Sequence, residues 1–202
     1  MHWTFWTIGG LGVALTLAAC VRSSDAGEST ERGGRISVKA YNDKGQLVGP
    51  IETDRVVKTD AEWRAQLTAE QYDVARREGT ERPGSCALLH NKETGVYSCV
   101  ACGLPLFIAD TKFESGTGWP SFFGPIAKEN VTEIVDRSYG MVRTEVECAR
   151  CDSHLGHVFN DGPAPSGLRY CMNGVALKFT PSTALATLAD PITVAAATQP
   201  AK

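Results

Sequence analysis

Between Cys148 and Gly174 the chain reads CARCDSHLGHVFNDGPAPSGLRYCMNG: a Cys-x-x-Cys pair, then His154 and His157, then a lone Cys171 flanked by Arg169 and Asn173. The pair has the spacing at which one tight turn points two sulfurs at one ion. The lone cysteine is a different proposition. A cation two residues before it favours the thiolate, and the thiolate is the nucleophile. Asn173 adds a donor for a bound substrate, and the two histidines can carry a proton near neutral pH. These residue types point to redox chemistry or acyl transfer on a metal-stapled frame. Plainer readings stay open beside this one, since a cysteine can be an inert core residue and histidines can simply satisfy backbone carbonyls.

A second Cys-x-x-Cys, Cys99 and Cys102, sits in VYSCVACGLPLF, an apolar run that turns and leaves as another apolar run. With Cys148 and Cys151 it supplies four thiolates, enough to close a tetrahedral shell around one zinc ion with no open position, so the metal would be structural. Two disulfides, a thioredoxin-like redox pair or an iron–sulfur cluster compete with zinc. Strand-turn patterns around both pairs, with no redox-type helix after either, favour zinc. Of the seven cysteines, Cys20, Cys86 and Cys171 remain. Pro83, Gly84 and Ser85 put Cys86 on a loop, where it can move. Two leftover thiols invite a disulfide cycle.

The elements that must position these groups are mostly strands. A period of two over LRYCMNGVALKFT (168–180) places Arg169, Cys171, Asn173, Val175, Leu177 and Phe179 on one face. Alternation from Gly140 to Glu147 predicts a half-buried strand that delivers Cys148 and Cys151. Residues 111–125, TKFESGTGWPSFFGP, are non-periodic and read as a shaped surface loop carrying Trp119 and Phe122. Ahead of them lie two short helices, one capped by Asp60 before Trp63, the other opened by the capping box Thr68–Gln71 and ended by Gly79. Residues 36–58 form a hairpin extension around NDKG. Residues 181–202, rich in Ala, Thr and Pro, lack amphipathic periodicity and predict a disordered tail. The sum is a mainly β, antiparallel domain with two short N-terminal helices.

The chain has 202 residues, 43 % hydrophobic, with a formal net charge of −3. That supports one globular domain plus tails, expected to be a monomer, and is not basic enough for nucleic acid. The first 20 residues form an apolar run ending in Leu17, Ala18, Ala19 and Cys20, which resembles a bacterial lipobox. That resemblance implies removal of a signal peptide at 1–19, lipidation of Cys20, and a polar tether at 20–35 holding the protein to a membrane of the cell envelope. The protein would face the periplasm in a double-membraned cell. An uncleaved anchor or a simple secreted signal are the alternatives, and no Lys or Arg precedes the apolar core.

GWPSF (119 marks its Trp), the two cysteine pairs, HLGHVF followed by NDGP, and RYCMNG together resemble the type B methionine sulfoxide reductases, over about residues 60–180. The resemblance implies an antiparallel β-tent around a four-cysteine zinc site. It implies that Cys171 attacks the sulfur of an R sulfoxide, free or in a protein, while His157, helped by His154 and Asn173, protonates the oxygen. Trp119 and Phe122 would bind the substrate, and Arg169 and Asp161 would orient the site. Many members carry a recycling cysteine where Thr117 stands here. Others use one before the first knuckle, and Cys86 fits that place, resolving the Cys171 sulfenic acid to a disulfide that a thioredoxin-like partner reduces. Two other readings remain: a non-catalytic zinc-binding recognition domain of the same shape with Cys171 in its core, and a thiol hydrolase, which lacks an evident oxyanion-hole segment.

Overall fold

The computed structural model describes residues 1–2 and 34–193. Cys20, the leader beyond His2, all but the last two residues of the tether, and residues 194–202 lie outside the described residues. Among the described residues no helix is long and apolar enough to cross a membrane.

Strands β1 (Arg35–Tyr41) and β2 (Leu47–Asp54) form the expected hairpin. Its turn is fixed by the Asn42 side chain, which accepts from the backbone N–H of Lys44 and Gln46. The hairpin is joined to the rest through Asn130. That buried amide accepts from the Lys39 N–H at 2.8 Å and donates to the carbonyls of Lys39 and Pro105. Helices α1 (Asp60–Gln66) and α2 (Ala69–Arg77) each open with a capping box. The first cap is Thr59, paired with Glu62, and not Asp60, which sits in the first turn and accepts from Arg64 and the Tyr72 hydroxyl. The second helix ends one residue before the expected stop, at Glu78, whose φ of 56° is left-handed.

Two antiparallel sheets follow. One has three strands, in the order β11 (Leu177–Pro181), β3 (Gly95–Cys99), β4 (Pro105–Ile108). The other has six: β5 (Lys112–Phe113), β6 (Ser121–Phe122), β10 (Arg169–Met172), β9 (His154–Phe159), β8 (Arg143–Cys148) and β7 (Val131–Asp136). Their apolar faces share one core containing Tyr97, Leu106, Phe107, Phe122, Leu155 and Met172. The mainly antiparallel β fold with two short helices is the one the sequence predicts.

Two expectations about the chain's end fail. The period-two face of 168–180 is not one strand: β10 stops at Met172, a 3-10 turn occupies Gly174–Ala176, and β11 resumes in the other sheet. Val175, Leu177 and Phe179 therefore do not share a face with Cys171. Nor is the segment after Thr180 a disordered tail throughout. Residues Ser182–Leu188 form 3-10 turns, Ala189 bridges Tyr41, Asp190 pairs with the buried Arg150, and Thr193 is buried. Low periodicity hid this order, because tertiary contacts and not an amphipathic face hold it.

Candidate active site and metal centre

Both cysteine knuckles are strand ends. Cys99 closes β3 and Cys148 closes β8. In each the backbone turns back through the residue after the second cysteine, Gly103 at φ 78° and Asp152 at φ 54°, whose N–H groups bond the carbonyls of Cys99 and Cys148 at 2.8 and 2.9 Å. Glycine adopts that conformation freely and aspartate tolerates it. Asp152 is further held by an ion pair with Arg55. The four Sγ atoms lie within 4.8 Å of one another, with 3.7 Å between Cys99 and Cys151 and 3.5 Å between Cys102 and Cys148. Four zinc–sulfur bonds of about 2.3 Å set sulfur–sulfur edges of roughly 3.8 Å. The quartet thus fits a tetrahedral ion such as zinc. All four thiols are free, and Ser153 lies 3.2 Å from the Cys151 sulfur as a supporting hydroxyl.

The reactive end is built by register. Cys171 on β10 stands directly opposite His157 on β9 and Ser121 on β6. Cross-strand partners share a face, so sulfur, imidazole and hydroxyl lie in one row. His154 joins that face despite its odd spacing, because the β8–β9 ladder slips by one residue at Leu155. The two imidazole rings are 5.5 Å apart. Gly156 between them has no alternative: a Cβ there would run into the Cys171 carbonyl.

Each histidine has a carboxylate. His157 Nε2 is 2.9 Å from Asp136 and His154 Nδ1 is 2.5 Å from Glu145. Burial pushes the His157 pKa below the usual imidazole value, opposed by the Asp136 carboxylate and reinforced by the charges of Arg143 and His154. Asp136 in turn is held well below the carboxylate range by the Ser138 N–H and hydroxyl, then by His157 and Arg143. Arg169 is gripped by both oxygens of Asp161 at 2.9 Å and lies 4.4 Å over the Phe159 ring, and the Asp161 carboxylate, with a smaller part from Cys171, raises its pKa. A pocket of about 170 Å³ opens on Cys171, walled by Trp119, Phe159, His157, Arg143, Asn173 and Thr80. Through Thr80, Arg143 and His157 it continues into a 520 Å³ cleft that reaches His154, Asp136 and Tyr139.

Of the residues expected at the site, Cys171, His157, Asn173 and Trp119 line the pocket itself. His154 is in the adjoining cleft, and Asp161 stays on the surface holding Arg169. Phe122 is not a substrate contact. It is wholly buried, stacked on Phe107 at 4.5 Å, and Phe159 supplies the aromatic wall instead. Asn173 has a fixed amide, accepting from the Glu81 N–H and donating to the Leu155 carbonyl. Cys86 is free and half-buried, its sulfur packed on Gly174, where a Cβ would collide with it. Burial raises its pKa, countered by the Leu88 N–H.

Sequence reasoning missed Glu81, the hub of this region. Its carboxylate accepts from the N–H groups of Gly174 and Val175 at 2.7 and 2.8 Å, and its carbonyl accepts from Trp119 Nε1. Burial raises its pKa against those two N–H groups. A lone glutamate in a loop carries no local signal of such a role. Arg143 and Asp136 were equally silent, one in an alternating strand and the other at a strand end.

Comparison with known proteins is consistent with this site. A family model described as the SelR domain matches residues 67–181. A protein of Herminiimonas arsenicoxydans named "Peptide methionine sulfoxide reductase MsrB" is 58 % identical over 127 residues, covering 63 % of this chain and 93 % of that protein. Proteins of the same name from Methanosarcina barkeri and Agrobacterium fabrum are 60 % identical over 124 residues and 53 % identical over 131. They are covered to 87 % and 97 % of their lengths, with 61 % and 65 % of this chain aligned.

Proposed function

The chain belongs to the SelR family, the type B peptide methionine sulfoxide reductases that return methionine-(R)-S-oxide to methionine, and on that premise we propose how its residues do so. The Cys171 thiolate attacks the sulfoxide sulfur. His157, directly across the ladder, gives its proton to the oxygen as the S–O bond weakens. The oxygen passes to Cys171, so methionine leaves and the enzyme holds a sulfenic acid. Trp119 and Phe159 provide an apolar wall for the substrate methyl group. The metal is structural: its four sulfurs are taken, so it would lock the strand ends and contribute no reacting position.

Cys86 then attacks the sulfenic sulfur, water leaves, and the resulting disulfide is reduced by a thioredoxin-like dithiol. Its sulfur rests against Gly174, three residues beyond Cys171, a contour of up to about 10 Å. Disulfide formation needs the two Cα atoms within roughly 7 Å. The substrate in this reading is peptide-bound. The 520 Å³ cleft beside the pocket exceeds what one methionine side chain fills, and exposed Tyr139 lines it on the β7–β8 side. Relatives carry the word "peptide" in their names. The lipobox-like Leu17–Cys20 supports an exported protein anchored to the cell envelope, and a monomer suffices for the chemistry.

The observation that carries the mechanism is the Cys171–His157 register on the pocket floor. Separated R and S epimers, free and within a peptide, assayed with dithiothreitol, should give turnover of R only and faster turnover in the peptide. Peptide mapping after one oxidising turnover without reductant should find Cys86 linked to Cys171. Turnover confined to S, or absent for both, contradicts the mechanism. A missing linkage removes only Cys86 from it.

A further inference from the structure

The sulfur of Cys171 has a neighbour that neither the acid step nor the recycling step uses. Thr117 Oγ1 lies 3.7 Å from Cys171 Sγ, within range for a hydroxyl donating to sulfur. It does not stand alone. Thr117 Oγ1 is 2.8 Å from Ser115 Oγ, and Ser121 Oγ donates to Ser115 Oγ at 2.7 Å. Ser121 is wholly buried and is the β6 residue paired with Cys171.

The direction of the hydrogens follows from counting them. A hydroxyl offers one hydrogen and two lone pairs. Ser115 Oγ accepts from the Ser121 hydroxyl, whose one hydrogen takes this 2.7 Å acceptor over the Trp119 carbonyl at 3.2 Å, and from the Thr117 backbone N–H at 3.4 Å. Both lone pairs are then engaged, and its own hydrogen is left to point at Thr117 Oγ1. Thr117 accepts that hydrogen and turns its own toward Cys171. We infer that Thr117 is a further catalytic residue, a hydroxyl donor to the Cys171 thiolate, aligned by a Ser121–Ser115 chain. The inference rests on Cys171 being the nucleophile of the reductase reaction. It gives the thiolate a neutral donor on the β6 side. Ser115 and Ser121 are positioning residues, because each acts through the next hydroxyl.

The test reads the sulfur itself. In the metal-loaded Cys86→Ser protein, the rate at which iodoacetamide alkylates Cys171 at neutral pH is followed by peptide mass. A hydrogen bond to a charged group changes populations by about tenfold, so Thr117→Val should slow alkylation by about that factor. Thr117→Ser, which keeps the hydroxyl, should restore most of the rate. Ser121→Ala, which leaves Thr117 in place but unaligned, should fall between. Single-turnover reduction of the R sulfoxide should follow the same order. Wild-type alkylation in Thr117→Val, or equal slowing in Thr117→Val and Thr117→Ser, overturns the inference. Should Thr117→Val lose its metal, Ser115→Ala and Ser121→Ala decide, and rates equal to the parent's would overturn it. Failure of the parent to turn over any sulfoxide would instead sink the reaction assignment, since alkylation needs no turnover.

Discussion

The knuckles where the two sheets meet and the middle of the larger sheet hold the same atom under opposite conditions. At the knuckles four sulfurs face one another inside 4.8 Å, mostly buried, with carbonyls and the guanidinium of Arg150 beyond them. On β10 one sulfur faces a hydroxyl, a guanidinium and an imidazole, and opens on a pocket. The difference teaches that what a cysteine does here is set by its facing neighbours and not by burial alone. Four sulfurs gathered within reach of one ion are ready for a metal, while a lone sulfur that opens on a pocket beside a hydroxyl and an imidazole is placed to attack.

The sharpest way to break this contrast is to exchange the consequences. Cys171→Ser should cut turnover by about a thousandfold or more, with metal content and melting unchanged. Cys148→Ser should lose the metal and its cooperative melt, as a structural zinc contributes on the order of 10 kcal/mol to folding. Metal analysis and calorimetry on both proteins check this, and a Cys171→Ser protein that sheds its metal would erase the distinction.

A smaller effect sharpens the electrostatic side. His157 is pushed down by burial, Arg143 and His154, and held up only by Asp136. Asp136→Asn removes that support, so the protonated fraction at any pH falls. The alkaline limb of the pH–kcat profile should move to lower pH, with about a tenfold loss near neutrality. The matching change in the metal half, Asp152→Asn, should leave the profile where it was. Smallest of all, Asp190→Asn strips the buried Arg150 of its counter-charge and should cost about 1–3 kcal/mol of stability, read as a lower melting temperature at unchanged kcat.

The sequence makes the four metal ligands and Cys171 legible because their chemistry is local: a turn presents a sulfur pair, and flanking charge marks a thiol. The hairpin and Thr68 cap are legible for the same reason. What stays hidden is whatever depends on a partner far along the chain. Phe122 and Trp119 share one aromatic loop, yet one stacks in the core and the other lines the pocket, and no periodicity separates them. Glu81 works through residues more than ninety positions away, and Asp190 through Arg150. The continued alternation through Asn173 misled because a 3-10 turn can interrupt a strand without disturbing a count of two.

One consequence of the β9–β10 register concerns handedness. The sulfur of a sulfoxide is a stereocentre, and a wall that grips three of its substituents can tell an object from its mirror image. Here Cys171, His157 and the aromatic wall of Trp119 and Phe159 line one pocket, and Gly156 lets β9 and β10 approach closely enough to keep them there. An inverted sulfoxide that kept its sulfur at the thiolate and its oxygen at the imidazole would present its longer carbon arm, and not its methyl group, to the aromatic wall. On the proposed mechanism, chiral discrimination follows from the ladder spacing of two neighbouring strands.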